Sequence, residues 1–297
     1  MIDARNLRWP LVIAAKIVLS RLPFSYRFWR ALKFFRHGAM GRPDYAWKVS
    51  SRHFGRARMS RDGRGFTVLE LGPGDSVATA ISAYAVGATM VFLVDDGRYA
   101  RQDPGAYRAM CEFLGGLGLP VPAMEATRSM EALLAACNAH YLTDGIASLR
   151  SLPDGVVDLC FSQAVLEHVR KAEFADLVGE LRRVTRRDGV GSHRIDLGDH
   201  LAGGLNNLRF SDTVWESPLF ARSGFYTNRI RYREMLEIFT ERGFSAEVVQ
   251  VDRWAELPTD RGSFASRFRH LDDEELRVFG FDVLLSSAGE SELPVQR

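Results

Sequence analysis

Residues 68–76 read VLELGPGDS: a short apolar run, a glycine-rich turn and the start of an apolar-spaced segment. No other stretch constrains the chain as much. A strand that enters a glycine turn and leaves as a helix opens a right-handed βαβ crossover, with backbone amides facing a ligand at the helix start. Gly72 and Gly74 fit the first two positions of the dinucleotide fingerprint G-x-G-x-x-G, but the third is Val77. Asp75 also puts a negative charge where a pyrophosphate would approach. Glu70, just before the turn, suits a ligand that carries a cation. NAD or FAD binding by an oxidoreductase is therefore the weaker reading.

From Gly65 onward, strand and helix patterns alternate. FTVLEL (66–71), TMVFLVDD (89–96), VVDLCFS (156–162) and residues 189–195 read as strands. Between them VATAISAYAV, AYRAMCEFLGGLGL and TRSMEALLAACNA read as helices. Phe174, Leu177, Val178 and Leu181, at helical spacing, mark another. This order predicts an α/β fold with a doubly wound, mostly parallel sheet. FSAEVVQVD and RVFGFDVLLSS, near the end, predict an antiparallel strand at the sheet edge. Residues 197–230 form a long insertion on the side where parallel sheets build substrate sites. The expected organisation is an N-terminal helical extension over 1–64, a catalytic domain over 65–285 and a tail over 286–297.

The net charge of +2 hides an asymmetry. Residues 1–64 hold 15 basic and 3 acidic side chains, and the remainder is net acidic. Residues 7–36 read as two basic amphipathic helices broken at Pro23. They either cover the catalytic domain or dock on an anionic membrane surface. WPLVIAAKIVLS is too short to span a bilayer, and no cleavage site of the signal-peptide kind follows it. No motif for nucleic acid accompanies the charge. Cys111, Cys137 and Cys160 are odd in number and widely spaced, so neither a disulfide framework nor a zinc pattern is expected and the cytoplasm is the default compartment.

Glu70-Leu71-Gly72-Pro73-Gly74 resembles motif I of the class I S-adenosylmethionine-dependent methyltransferases, E/D-x-G-x-G. Asp95, at the end of the second predicted strand, matches that family's ribose-binding acid. LPDGVVDLCFSQAVLEHV (152–169) is similar to its P-[DE]-x-x-[FV]-D strand and the V-L-E-H turn after it. The resemblance spans about residues 65–285 and implies a Rossmann-like methyltransferase sheet with S-adenosylmethionine as cofactor. Gly72 and Gly74 would let the backbone approach the methionine moiety. Glu70 would attract its ammonium, and Asp95 would accept from the ribose diol. Asp144 would face the adenine amino group or serve only as a turn residue. Ser162 and Gln163 would border the methionine end. Where many members carry a third glycine, this chain has Ser76. Asp158 is read as a structural acid. A binding protein of the same fold that has lost catalysis is the competing reading, and the intact Glu70, Gly72, Gly74 and Asp95 speak against it.

The acceptor is read from SHRIDLGDH (192–200), which gathers His193, Asp196, Asp199 and His200. An imidazole with a neighbouring carboxylate is the arrangement of a general base. His200 or His193 would be the base and Asp196 or Asp199 its orienter. The same cluster could hold a divalent metal, the less favoured reading, or form a structural hydrogen-bond network. Glu167-His168 fits a helix-start or cofactor-loop role better. Asn206, Asn207, Arg209, Trp215, Tyr226, Asn228, Arg229 and Arg231 suit a polyhydroxylated or anionic small molecule. With the basic head, this points to O-methylation of a sugar or glycolipid intermediate near a membrane.

Overall fold

The computed structural model describes residues 40–58, 65–201 and 203–288, together with Trp9, Pro10 and Ile13. The two helices expected over 7–36, with the break at Pro23, fall mostly outside these residues, as does most of the 286–297 tail. Among the described residues, no helix is long and apolar enough to cross a membrane.

Seven strands form one sheet in the order β3-β2-β1-β4-β5-β7-β6. They are β1 (Phe66–Leu71), β2 (Ala88–Val94), β3 (Ala139–Leu142), β4 (Val157–Gln163), β5 (Thr185–Asp196), β6 (Phe244–Arg253) and β7 (Val278–Ser287). The first five pair in parallel, and β7 runs antiparallel to both β5 and β6. The antiparallel strand predicted at the edge is thus the last one, seated between β5 and the edge strand β6. The helices that fix the site are α1 (Pro43–Arg56), α2 (Ala78–Ala85), α3 (Pro104–Gly116), α4 (Met130–Ala136), α5 (Lys171–Val184) and α6 (Tyr232–Glu241).

Strand alternation divides the sheet into two cores. Val68, Leu93, Leu159 and Phe161 pack with Val49 and Phe54 of α1 and Ile81 of α2. Their neighbours in sequence, Leu69, Val94 and Cys160, pack on the other face with Phe174 of α5 and Phe239 of α6. Each such side chain removed from water stabilises the fold by about 1.5–3 kcal/mol, so a one-residue slip of register would be very costly. Local chemistry sets the helix starts. Asp103 accepts from the Ala106 amide ahead of Pro104, and Ser129 accepts from the Ala132 amide.

Two differences from the sequence reading have simple causes. β3 was read as the tail of a helix and a loop, because four residues carry too little pattern to register as a strand. β5 begins at Thr185, which pairs with Val157 of β4, well before residue 189; the exposed, polar residues 186–188 that follow it carry no apolar strand pattern. Asp158 accepts from the Thr67 amide at 2.7 Å and pairs with Arg186 at 3.2 Å, tying β1 to β4. Cys111, Cys137 and Cys160 are buried free thiols.

Candidate active site

The chain leaves β1 through Gly72 and Gly74, at φ +73° and +64°. Both are left-handed conformations that glycine adopts without strain. The Gly72 amide donates to the Val94 carbonyl at 2.8 Å, holding the turn against β2. A Cβ on Gly72 would lie 2.5 Å from a Val165 methyl, so glycine lets the loop after β4 close over the turn. Val77, at the position where a dinucleotide fold wants glycine, is wholly buried at the start of α2. Asp75 forms an ion pair with Arg101 at 3.3 Å.

Beside this turn a buried acid has an oxygen without a hydrogen-bond partner among the described residues. Glu70 is 2% exposed, and its Oε2 has no hydrogen-bond partner among the described residues. Burial pushes its carboxyl up to about 8. Asp95 accepts from the Gly74 amide at 3.0 Å and the Asp96 amide at 2.9 Å, yet burial still pushes it up to about 7. The Gly145 amide donates to the Asp95 carbonyl at 2.8 Å, which sets the Asp144 turn beside it with the Asp144 side chain exposed. A buried acid with an unpaired oxygen and a neighbouring half-buried acid, flanking a left-handed turn, suit a ligand with a cationic group and a diol.

Gln163 and Ser162 part company. Gln163 Oε1 accepts from Arg52 at 2.9 Å and lies 3.4 Å from His53 Nε2, both from α1. Ser162 is fully buried on the opposite face, with its hydroxyl 2.8 Å from His193 Nδ1. Its hydroxyl is engaged inside the sheet with His193.

The four acid–base groups of residues 192–200 do not converge. His193 is buried in β5, and desolvation, with the His53 ring adding to it, lowers it to about 3. A ring so reluctant to take a proton, and bonded to Ser162, is core structure rather than a base. Asp199 is spent on its own loop: it accepts from the Leu201 and Gly204 amides and from both nitrogens offered by Asn206. That leaves Asp196 and His200 as the pair. His200 Nε2 stands 3.8 Å from Asp196 Oδ2, with both side chains partly exposed at the end of β5. Burial acts to raise Asp196, but His200, the Gly198 amide and Arg194 outweigh it and hold the carboxyl below its ordinary range.

The loop after β4 completes this corner. The His168 ring lies 4.8 Å from that of His200, and His168 Nδ1 donates to the Tyr226 carbonyl at 2.9 Å. Glu167 is fully buried, and desolvation pushes it well above the carboxylate range. It lines a small cavity with Asp196, Asn207, Thr227 and Arg231. Spacing in the sequence does not reveal the burial of Glu167.

The polar residues of the insertion are mostly architecture, which corrects the acceptor-binding role expected of them. Trp215 Nε1 donates to the Thr227 carbonyl at 2.7 Å, and Asn228 Nδ2 donates to the Leu166 and Val169 carbonyls. Arg229 pairs with Asp212 at 2.6 Å, and Arg231 donates to the Leu197, Leu276 and Val278 carbonyls. Asn206 serves Asp199. The aromatic residues pack on one another, and Trp9 joins them edge-on against Phe210 at 5.8 Å. Sequence reasoning also missed Arg52 and His53, which reach β4 and β5 across more than a hundred residues of chain.

Residues 110–191 match the family model of a methyltransferase domain. A search of curated proteins finds no match. Among solved structures, the chain is similar to a SAM-dependent methyltransferase from Archaeoglobus fulgidus, at 13% identity over 88% of this chain and 99% of that one, with a TM-score of 0.43. It is similar to the trans-methyltransferase CalH in complex with SAH, at 13% identity over 96% and 68%, TM-score 0.47. The CurJ carbon methyltransferase is similar at 13% identity over 82% and 54%, TM-score 0.42.

Proposed function

We propose that this chain, a class I S-adenosylmethionine-dependent methyltransferase, methylates a hydroxyl of a small-molecule acceptor, with His200 as general base and Asp196 as its orienter. The observation that carries this reading is the His200–Asp196 pair, at the end of a parallel strand on the substrate side of the fold. When bound, S-adenosylmethionine supplies an electrophilic methyl carbon and keeps the C–S electron pair as a neutral thioether. Glu70 would hold its ammonium, Asp95 its ribose hydroxyls, and the backbone at Gly72 and Gly74 would border its methionine moiety. Asp144 would stand near the adenine. The unpaired Oε2 of Glu70 is what fits the chain to a cationic cofactor.

An alcohol oxygen is a weak nucleophile until its proton is removed. Asp196, held ionised, would fix the His200 tautomer and stabilise the ring once it is protonated. His168, against the same ring, would limit its rotation. The catalytic unit would span about residues 65–285. The basic head of residues 1–64, with 15 basic side chains, would favour an acceptor held at an anionic surface, such as a glycolipid intermediate met at the inner face of a membrane.

The test is His200→Ala. Turnover should fall about 10²- to 10⁴-fold, the range for loss of a general base, with S-adenosylhomocysteine affinity unchanged in calorimetry. Undiminished turnover would remove His200 from the chemistry. Methyl transfer from labelled cofactor onto fractionated metabolites and lipids would identify the acceptor. Full-rate turnover of a lipid-free metabolite, with no sedimentation on anionic vesicles, would end the membrane part of the proposal.

A further inference from the structure

The helix before the sheet brings a cation to the glycine turn. Val49 and Phe54 bury one side of α1 against the core under β1 and β4, which fixes the helix across the carboxyl half of β4. His53 is locked there by Ser192 Oγ at 2.8 Å and by a stacked contact with Phe161 at 4.8 Å. Burial, with Arg52 beside it, lowers His53 to about 4, so the ring stays neutral and acts as a spacer. Arg52, the next residue back, is exposed, and its guanidinium donates to the neutral amide of Gln163. Its ion-pairing capacity is not spent on a carboxylate within 4 Å among the described residues.

The register places that guanidinium relative to Glu70. Leu71 of β1 stands opposite Ser162 of β4, so Gln163 lies one step beyond, level with Gly72. Glu70 alternates with the buried Val68 and Gln163 with Phe161, so both are on the α1 face of the sheet. Adjacent strands are about 4.8 Å apart. A guanidinium thus stands beside the end of β4, and a buried acid with an unpaired oxygen lies at the end of the neighbouring β1. A guanidinium and, one strand away, an acid that ionises against a bound ammonium are complementary to an amino acid zwitterion. Resting on the cofactor assignment above, we infer that Arg52 binds the α-carboxylate of the cofactor's methionine moiety, with Gln163 aiming the guanidinium, while Glu70 takes the ammonium. The guanidinium fork matches a carboxylate bidentately, which a lysine would not reproduce.

Calorimetry with three ligands tests this. S-Adenosylhomocysteine carries the whole zwitterion, its decarboxylated analogue S-adenosyl-3-thiopropylamine lacks only the carboxylate, and 5′-methylthioadenosine lacks the amino acid altogether. Arg52→Gln should weaken S-adenosylhomocysteine about 10- to 100-fold, the range for a charge-assisted bidentate pair, and leave methylthioadenosine unchanged. Arg52→Lys should recover part of the loss. The unaltered protein should discriminate against the decarboxylated ligand by a similar factor, and Arg52→Gln should abolish that discrimination. Equal weakening of all three ligands would make Arg52 a mere strut between α1 and β4 and overturn the inference. An unaltered protein indifferent to the carboxylate would also overturn it, whatever the variants do. If the unaltered protein bound methylthioadenosine and S-adenosylhomocysteine but Arg52→Gln changed neither, Arg52 would be excluded with the cofactor assignment intact. Failure of the unaltered protein to bind any of the three would end both.

Discussion

The two ends of the site treat polar groups in opposite ways. Beside the glycine turn, Glu70 is buried with an oxygen unpaired and Asp95 is half-buried and held up near neutrality. In the insertion after β5, a larger number of polar side chains are nearly all engaged: Asp199 by four donors, Arg231 by backbone carbonyls, Trp215 by Thr227. A buried polar group without a partner is costly, and a fold tolerates it where a ligand later satisfies it. A satisfied network is architecture, however much its composition looks like a binding surface. At the edge of the insertion, the buried Glu167 carboxyl is the clearest departure, with both oxygens lacking a hydrogen-bond partner among the described residues.

That contrast can be broken at either end. Trp215→Ala should have the largest effect. Removing a fully buried indole at the centre of the insertion should cost about 3–5 kcal/mol of stability in denaturant titration. Affinity for S-adenosylhomocysteine should persist wherever the variant is folded; a parallel loss of affinity would show that the insertion reaches the cofactor end. Asp95→Ala should weaken S-adenosylhomocysteine at least about 100-fold, since it removes the ribose acceptor and releases the Gly74 amide. Wild-type affinity after that change would refute the ribose assignment.

The smallest effect, taken over one pH unit, is a pH dependence. Free Glu70 titrates at about 8 and must be ionised to hold an ammonium, so binding releases a proton below that pH. Affinity should rise with pH, by at most about tenfold per unit, and level off near 8. Glu70→Gln should flatten that segment of the profile. In the unliganded protein the sign for stability is reversed. The unfolded chain loses this proton near the ordinary 4.5 while the folded chain keeps it to about 8, so Glu70 lowers stability progressively across that window. Unfolding midpoints of Glu70→Gln should therefore gain on the unaltered protein as pH rises from 5 to 8 on the order of several degrees at most.

What could be read in the sequence was whatever acts locally. A strand, a left-handed turn and a helix follow from residues within ten positions of each other, so the junction at 68–76, the acid before it and the acid ending the next strand were all legible. Alternation of apolar residues showed most strands, and failed at β3, where four residues are too few for a pattern. Among His193, Asp196, Asp199 and His200, composition marked an acid–base segment but could not rank its members. Adjacent residues on a strand face opposite sides, and a loop carboxylate can be consumed by its own amides. The tertiary structure made that choice by burying His193 under desolvation, tying Asp199 to its loop and leaving His200 beside Asp196. It likewise brought Arg52 to Gln163 across the fold, because burial and charge pairing depend on neighbours that are distant in the chain. The cofactor was therefore written in local chemistry, whereas the candidate base was selected by packing.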